Sequence, residues 1–470
     1  MVKEKLLVIG LDCAAPSLFF NRHLKNIPTL AKIQASGSRG TMRSSDPPIT
    51  IPAWMCMATG HTPGQLGIYG FRHRKKKTYD DLWIASSLSI KKKTAWEILG
   101  EHGYRSIIVG IPPTFPVKPF NGNMITGFIT PSTKNQFTHP PSLKEEILDK
   151  FGHYTFDVPF RIEDKSTLFD NLMQMTRERQ AILEYLITEK PWDMFWFVEI
   201  GLDRMHHAFW KYFDENHKDH EPGNDFQDCI DKYERLLDDN VSRLIELVPD
   251  DTRIMVVSDH GAQPLMGGFC LNEWLRREGY LALAETPTRP TPLDRVAVNW
   301  PETKAWGAGG YYGRVFLNVK GREPEGTIPI AEYERERQAL AEKLENIRDP
   351  EGNLLGVKAY TPQELYRRAR GVAPDLIVYF QEMAWRSLGS VGVESLYSLE
   401  NDTGPDDANH AQQGLMIFHD PRYPSGGQRI EGAEIYDILP TLLARYQIDA
   451  PSQLRGEVLL SRSLHDHAIE

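Results

Sequence analysis

A chain of 470 residues has room for roughly three domains of about 150 residues each. Its 41% hydrophobic and 25% charged residues are ordinary globular values and exclude a disordered or fibrous chain. With 54 Lys and Arg against 64 Asp and Glu the net charge is -10, which argues against nucleic-acid binding through the bulk field.

In chain order, LLVIGL at 6–11 reads as a first strand and not as a secretory signal, since the apolar run is short and no small-residue cleavage site follows. Residues 28–36 read as a helix, with Pro near its start and Gly37 past its end. Residues 52–59 read as a second helix closed by Gly60, and 105–109 as a strand. A long helix is expected over 167–188 with Ser166 as its cap, then an apolar strand at 193–200. An amphipathic helix over 226–247 and a strand at 254–258 follow. Between 285 and 400 the texture changes to Pro- and Thr-rich sequence, GAGGYYGRVFLNVKG and a charged helix at 331–347, an insertion with its own small sheet. Strand–helix alternation returns at 375–380, 415–419 and 435–446.

This alternation predicts an α/β three-layer sandwich with a mainly parallel central sheet and an inserted cap subdomain. The domains expected are a core of residues 1–284 plus 401–470 and an insertion of 285–400. Cys13, Cys56, Cys229 and Cys270 show no CxxC spacing and cannot build a disulfide scaffold. No apolar stretch is long enough to span a membrane. A cytoplasmic, reducing location without membrane or nucleic-acid partners is expected, and a homo-oligomer is left open.

Ligands of such sheets bind beyond the carboxyl ends of the strands. Asp12 follows the first strand, Asp203 and His207 follow the 193–200 strand, Asp259 and His260 follow 254–258, and His410 precedes LMIF. Singly, each Asp reads as a helix cap or turn former and each His as a packed residue. Together, three Asp and three His form a mixed N/O set suited to Zn²⁺, with Mn²⁺ second, and exceed the need of one tetrahedral ion. Two ions are therefore expected, the arrangement that clamps both oxygens in phosphoryl transfer. Thr50, two residues before the helix expected at 52–59, is the candidate nucleophile. Its hydroxyl would sit at the positive end of the helix dipole. A nearby cation would make the alkoxide accessible, as it lowers the pKa of water from about 15.7 to about 7.

At this point Asp12, Thr50 in ITIPAW…ATGHTPGQLGIYGF, Asp203-x-x-x-His207, Asp259-His260-Gly261 and His410 resemble the alkaline phosphatase superfamily. The nearest branch is the nucleotide pyrophosphatase/phosphodiesterase-like one, including bacterial and archaeal proteins described as predicted phosphohydrolases or phosphomutases. GRVFLNVKGREPEG and the late EIYDILPTLLARYQIDAPSQLRGEVL add to the likeness. The resemblance implies one metal site of Asp203, His207 and His410 and another of Asp12, Asp259, His260 and the Thr50 hydroxyl. His206 competes with His207, but the four-residue spacing from Asp203 is the one that matches. The Asn that diesterases of this group carry past the nucleophile is missing from residues 68–74, and Leu66 replaces the commoner His of the TG…HGI motif. Arg72 and His73 are the candidates for the missing phosphoryl contact.

The resulting expectation is a metal-dependent phosphoric ester hydrolase, of phosphodiesterase or nucleotide pyrophosphatase type, working through phospho-threonine on a small phosphorylated substrate such as a nucleotide. A phosphomutase or a phosphomonoesterase is the alternative. A sulfatase is disfavoured because Thr50 is followed by Ile51-Pro52-Ala53-Trp54 and not by the x-P-x-R context of formylglycine formation. The basic runs at 72–77 and 91–93 read as solvated faces, and Gly307–Gly313 as a turn into the RVFLNV strand.

Overall fold

The apolar run at 6–11 forms the middle strand of a ten-stranded sheet. The computed structural model describes residues 4–459. The ends of the expected core span, residues 1–3 and 460–470, lie outside the described residues. The chain divides into two compact units, Met1–Thr62 with Ala85–Ala262 and Gln412–Glu470, and Pro63–Ile84 with Gln263–Ala411.

In the first unit the strands are β1 (Leu6–Leu11), β2 (Ser38–Arg43), β3 (Ser106–Val109), β4 (Gly122–Ile125), β5 (Met194–Glu199), β6 (Arg253–Val257) and β7 (Gln413–His419). They lie in the order β2-β7-β6-β1-β5-β3-β4, extended at both ends by two-residue strands. β6, β1, β5, β3 and β4 are mutually parallel, whereas β7 runs antiparallel to β6. The parallel strands are buried along their whole length apart from the start of β4, the signature of a sheet covered on both faces. Gly10 pairs with Val198 on one side and Val257 on the other, so the carboxyl ends of β6, β1 and β5 lie side by side.

The helices used below are α1 (Pro28–Ser36), α2 (Thr50–Thr59), α3 (Lys165–Glu189), α4 (Gly201–Phe213), α5 (Cys229–Glu246) and α6 (Ile438–Arg445). α1 has the bounds expected from its Pro and Gly. α2 starts two residues earlier than the sequence suggested, at Thr50, and Gly60 closes it with φ +66. The reason is that first-turn N–H groups have no partner within the helix, so Pro52 costs nothing there. α3 is capped by Asp164, which accepts from the Thr167 amide at 3.0 Å, and not by Ser166. A 3₁₀ turn at Ile435–Asp437 precedes α6 in what reads as one continuous helix.

Gly10 marks a close approach. A Cβ there would lie 2.7 Å from the Phe197 carbonyl oxygen and 2.7 Å from the Trp54 ring. Trp54 is fully buried and thus packs directly over β1. This contact brings α2, and with it Thr50, to the end of the central strand.

The second unit has a seven-stranded sheet of its own. Its core includes Phe269, Leu275, Val315, Leu340, Val378 and Phe380. It takes in more chain than the 285–400 insertion read from sequence texture. The strand Gly267–Cys270 belongs to it because that strand pairs in parallel with Trp385–Leu388. Residues 63–84 belong to it through the hairpin Arg72–Arg74/Leu82–Ile84 and the buried pair of Arg74 with Glu323. The Gly-rich segment is the turn between antiparallel strands Ala305–Ala308 and Gly313–Leu317, as expected.

Candidate active site

Asp12 is the first residue beyond β1, and its amide donates to the Glu199 carbonyl of β5 at 3.1 Å. Asp259 and His260 follow β6, and Asp203 sits in the first turn of α4, which begins just after β5. Parallel pairing of three neighbouring strands thus delivers all three carboxylates to one end of the sheet. Asp12, Asp203, Asp259, His260, His207 and Thr50 are all buried, none more than 2% exposed.

Asp12, Asp259 and His260 each offer one ligand atom, and these atoms lie within 4.8 Å of one another. Asp203 offers an oxygen within 4.8 Å of a His260 nitrogen, so the second cluster is contiguous with the first. His207 Nε2 lies 3.4 Å from Asp203 Oδ1, the i, i+4 geometry that the motif requires. His206 points elsewhere, with Nδ1 3.1 Å from the Cys13 carbonyl and its ring against Trp210. An α-helix sets residues i and i+4 on one face, which places His207 beside Asp203; His207 is in neither of the two close groups of ligand atoms found among the described residues.

Thr50 is the first helical residue of α2, and no side chain caps the helix start. Its Oγ1 lies 3.3 Å from His260 Nε2. His260 Nδ1 sits 3.1 Å from the Gly261 carbonyl, which can only accept, so Nδ1 carries the proton and Nε2 offers a lone pair toward Thr50. Nε2 is also 3.1 Å from Asp259 Oδ2 and 3.8 Å from Asp12 Oδ1. Burial holds the His260 imidazole down to about 4, against weaker opposing pulls from Asp203 and the Gly261 carbonyl, so it is neutral near pH 7.

Several contacts orient this group. Trp54 Nε1 donates to Asp12 Oδ2 at 2.7 Å, the Cys13 amide donates to Asp259 Oδ1 at 3.2 Å, and the Ser258 hydroxyl donates to the His260 carbonyl at 2.5 Å. Cys13 reaches Asp259 by adopting φ +66, which turns its amide across the end of β1. Asp12 Oδ1 and Asp259 Oδ2 accept no hydrogen bond among the described residues. Burial first, and then repulsion from neighbouring carboxylates, raises both Asp12 and Asp259 well above the usual carboxylate range. Buried carboxylates facing one another beside a neutral imidazole are what a divalent cation stabilises. The donor set fits Zn²⁺ or Mn²⁺ on chemistry alone.

Three contributors were not singled out from the sequence. Trp54 lies four residues past Thr50, hence on the same helical face, and a buried indole N–H needs an acceptor; that spacing was the available signal. Arg204 donates to Asp203 Oδ2 at 2.5 Å and grips Asp157 with bonds of 2.8 and 2.7 Å. Its guanidinium lies 4.6 Å from the centre of the Phe160 ring and 5.2 Å from that of Phe128. Only an Asp-Arg dipeptide after a strand hinted at this clamp, and Asp157 is out of sight of any local pattern. Loss of a partner that orients a metal-ligating carboxylate typically costs about 10–100-fold in metal affinity. Arg204→Met is expected to show a loss of that order in a competition titration against a chelator.

The remaining candidates belong to the second unit. His410 is buried on the strand Ala408–Ala411, and its ring stacks on Tyr311 with centres 4.2 Å apart. Arg386 lies 4.8 Å above the Tyr311 ring and pairs with Asp406 at 2.6 Å, while Asn409 accepts from the His410 amide at 2.9 Å. Tyr311 therefore supports His410, a role its place in a Gly-rich turn did not announce. His73 is buried, stacks on Trp83 and accepts the Tyr69 amide at 2.8 Å, so it braces a turn. Burial holds its pKa down to about 3. Arg72 is exposed, and its carbonyl accepts from Arg314 at 2.7 Å.

Carboxylates and imidazoles thus gather at the carboxyl ends of parallel strands, beside a helix-terminal threonine. A family model described as type I phosphodiesterase/nucleotide pyrophosphatase matches residues 6–406. The chain belongs to this family, within the alkaline phosphatase superfamily, and is a hydrolase of phosphoric ester bonds. No curated protein matches it in sequence. Among solved structures, human ectonucleotide pyrophosphatase/phosphodiesterase 5 is similar over 97% of this chain and 100% of its own, with 13% identity and a TM-score of 0.58. An inactive form of the murine protein in complex with AMP is similar over 95% of this chain and 96% of its own, with 13% identity and a TM-score of 0.55. Phosphonoacetate hydrolase from Sinorhizobium meliloti 1021, in complex with phosphonoformate, is similar over 93% and 94%, with 13% identity and a TM-score of 0.60. Likeness at this identity concerns the fold. Among the described residues no helix is long and apolar enough to cross a membrane.

Proposed function

We propose that the protein hydrolyses a small phosphodiester or nucleotide pyrophosphate by transferring the phosphoryl group to Thr50 and then to water. The observation that carries this reading is the position of the Thr50 hydroxyl, buried at an uncapped helix start and 3.3 Å from His260 within the carboxylate cluster. Asp12, Asp259 and His260 would hold one divalent cation, and Asp203 and His207 would take part in holding another. Zn²⁺ is the first candidate and Mn²⁺ the second. Such cations supply Lewis-acid charge that favours ionised hydroxyl groups and neutralises phosphoryl oxygens.

The chain's own contribution is positioning. The start of α2 directs its dipole and its Thr50 and Ile51 amides at an incoming phosphoryl oxygen. Trp54 keeps the Asp12 carboxylate in place, and Arg204 does the same for Asp203. Burial of the cluster excludes bulk water and strengthens every charge interaction at the reacting phosphorus. Phosphoryl transfer needs little else, which accounts for the small number of acid–base groups.

The test is a paired assay with mono- and bis-nitrophenyl phosphate, each with EDTA, Zn²⁺ or Mn²⁺. Nitrophenol release from the bis-ester that depends on added metal is expected. Preference for the mono-ester reassigns the protein as a phosphomonoesterase, and no release from either ester contradicts the reading. Transfer between sugar hydroxyls without free phosphate would identify a mutase instead.

A further inference from the structure

Part of the basic run at 72–77 lines a cleft of about 670 Å³ that lies wholly within the second unit. This volume is in the range that encloses a nucleotide-sized ligand. Five cationic side chains, Arg74, Lys76, Lys77, Arg322 and Arg337, line it together with two carboxylates, Glu323 and Asp375. The arginines are fixed in place. Arg74 makes a forked pair with Glu323 at 2.6 and 2.9 Å, and Arg322 one with Asp375 at 2.7 and 2.6 Å. Arg337 is held by Gln363 at 3.0 Å and by Glu334 at 2.5 Å.

Those pairs leave the two lysines as the unbalanced charge. Lys76 and Lys77 are exposed and make no ion pair among the described residues. Lys77 adopts φ +57, a tight turn that keeps both side chains beside the cleft. Pro362, Val372 and Pro374 give the same cleft an apolar wall. The chain as a whole carries -10, so an anion is drawn here by the local field and not by the bulk one. Charge plus an apolar wall selects an anion with an organic body over a bare inorganic ion.

We propose that this cleft binds a small organic phosphate of mononucleotide size, with Lys76 and Lys77 on the phosphate and the apolar wall on the organic part. None of the proposed metal ligands lines it, so binding there does not depend on the metal or on Thr50.

The test is calorimetric titration of the full-length protein, stripped with EDTA, with AMP, inorganic phosphate and adenosine in turn. AMP is expected to bind one per chain, at least tenfold more tightly than either fragment. Lys76→Gln/Lys77→Gln, two exposed changes that leave the core intact, is expected to weaken AMP at least tenfold. Loss of AMP binding in that double variant separates this site from the catalytic reading, because neither lysine is among the proposed metal ligands. Failure of the stripped protein to bind AMP, or unaltered binding by the double variant, overturns the proposal. Phosphate binding as tightly as AMP also overturns it, because the organic part would then make no contact.

Discussion

Thr50→Ala is expected to lower turnover on the order of 10³-fold or more while leaving the fold unchanged, as befits loss of an attacking side chain. Thr50 begins α2, where the helix makes its first bond between the Ala53 amide and the Ile49 carbonyl without help from the Thr50 side chain. Alanine therefore removes one hydroxyl and one methyl from a site whose neighbours are held by other bonds. Thermal midpoint and metal content should stay close to those of the unaltered protein. Thr50→Ser keeps an attacking oxygen at the same place and should retain a measurable rate. Parallel steady-state assays on the two variants check both expectations. More than a few per cent of the rate in Thr50→Ala would show that another group attacks phosphorus.

Asp12→Asn is expected to act in opposite directions on the metal-free and metal-loaded protein. Asn preserves the shape and can still accept the Trp54 indole hydrogen bond, but it removes one charge from a cluster that also contains Asp203 and Asp259. Without a cation, burial and mutual repulsion already raise Asp12 well above the usual carboxylate range. A carboxyl group whose pKa is higher folded than unfolded binds more protons in the native state, so stability falls as pH rises through and above the ordinary carboxylate range. Removing it should therefore leave the metal-free variant as stable as the parent or more so, with a flatter pH dependence. With Zn²⁺ or Mn²⁺ present the order is expected to reverse, because on the proposed reading a cation held by the parent's carboxylates stabilises the folded state by mass action. Activity should fall at least about 100-fold through lost metal affinity. Thermal melts at several pH values, with EDTA and with metal, give all of these results. Equal destabilisation of both forms would mean that Asp12 serves packing and not a cation.

The parts of the site that sequence disclosed are those fixed by local rules. Asp12 and Asp259 are visible because each closes a short β-branched run, and a parallel sheet collects such residues at one end. Asp203 and His207 are visible because four-residue spacing sets them on one helical face. Thr50 needed only a helix start, and an error of two residues in that start did not move it from the dipole's positive end. The strand directions of the core also follow from strand–helix alternation.

What stayed hidden depends on tertiary contacts. Arg204 reads as an ordinary surface cation until its pairing with Asp157, forty-seven positions away, is seen. His73 attracted attention because it stands in the segment where the resemblance expects a phosphoryl-contacting Asn, yet stacking on Trp83 from the paired strand turns it inward. The reach of the second unit was underestimated because Gly267–Cys270 reads locally like a continuation of the core. Only pairing with Trp385–Leu388, more than a hundred residues on, assigns it to the other sheet.

The most direct test of covalent catalysis by Thr50 is acid quenching during turnover of nitrophenyl phosphate esters, followed by mass mapping of the peptides. A phosphoryl adduct on the peptide that carries Thr50, dependent on divalent metal, is the expected result. An adduct on a different side chain, or none at any quench time and pH while product accumulates, would contradict it.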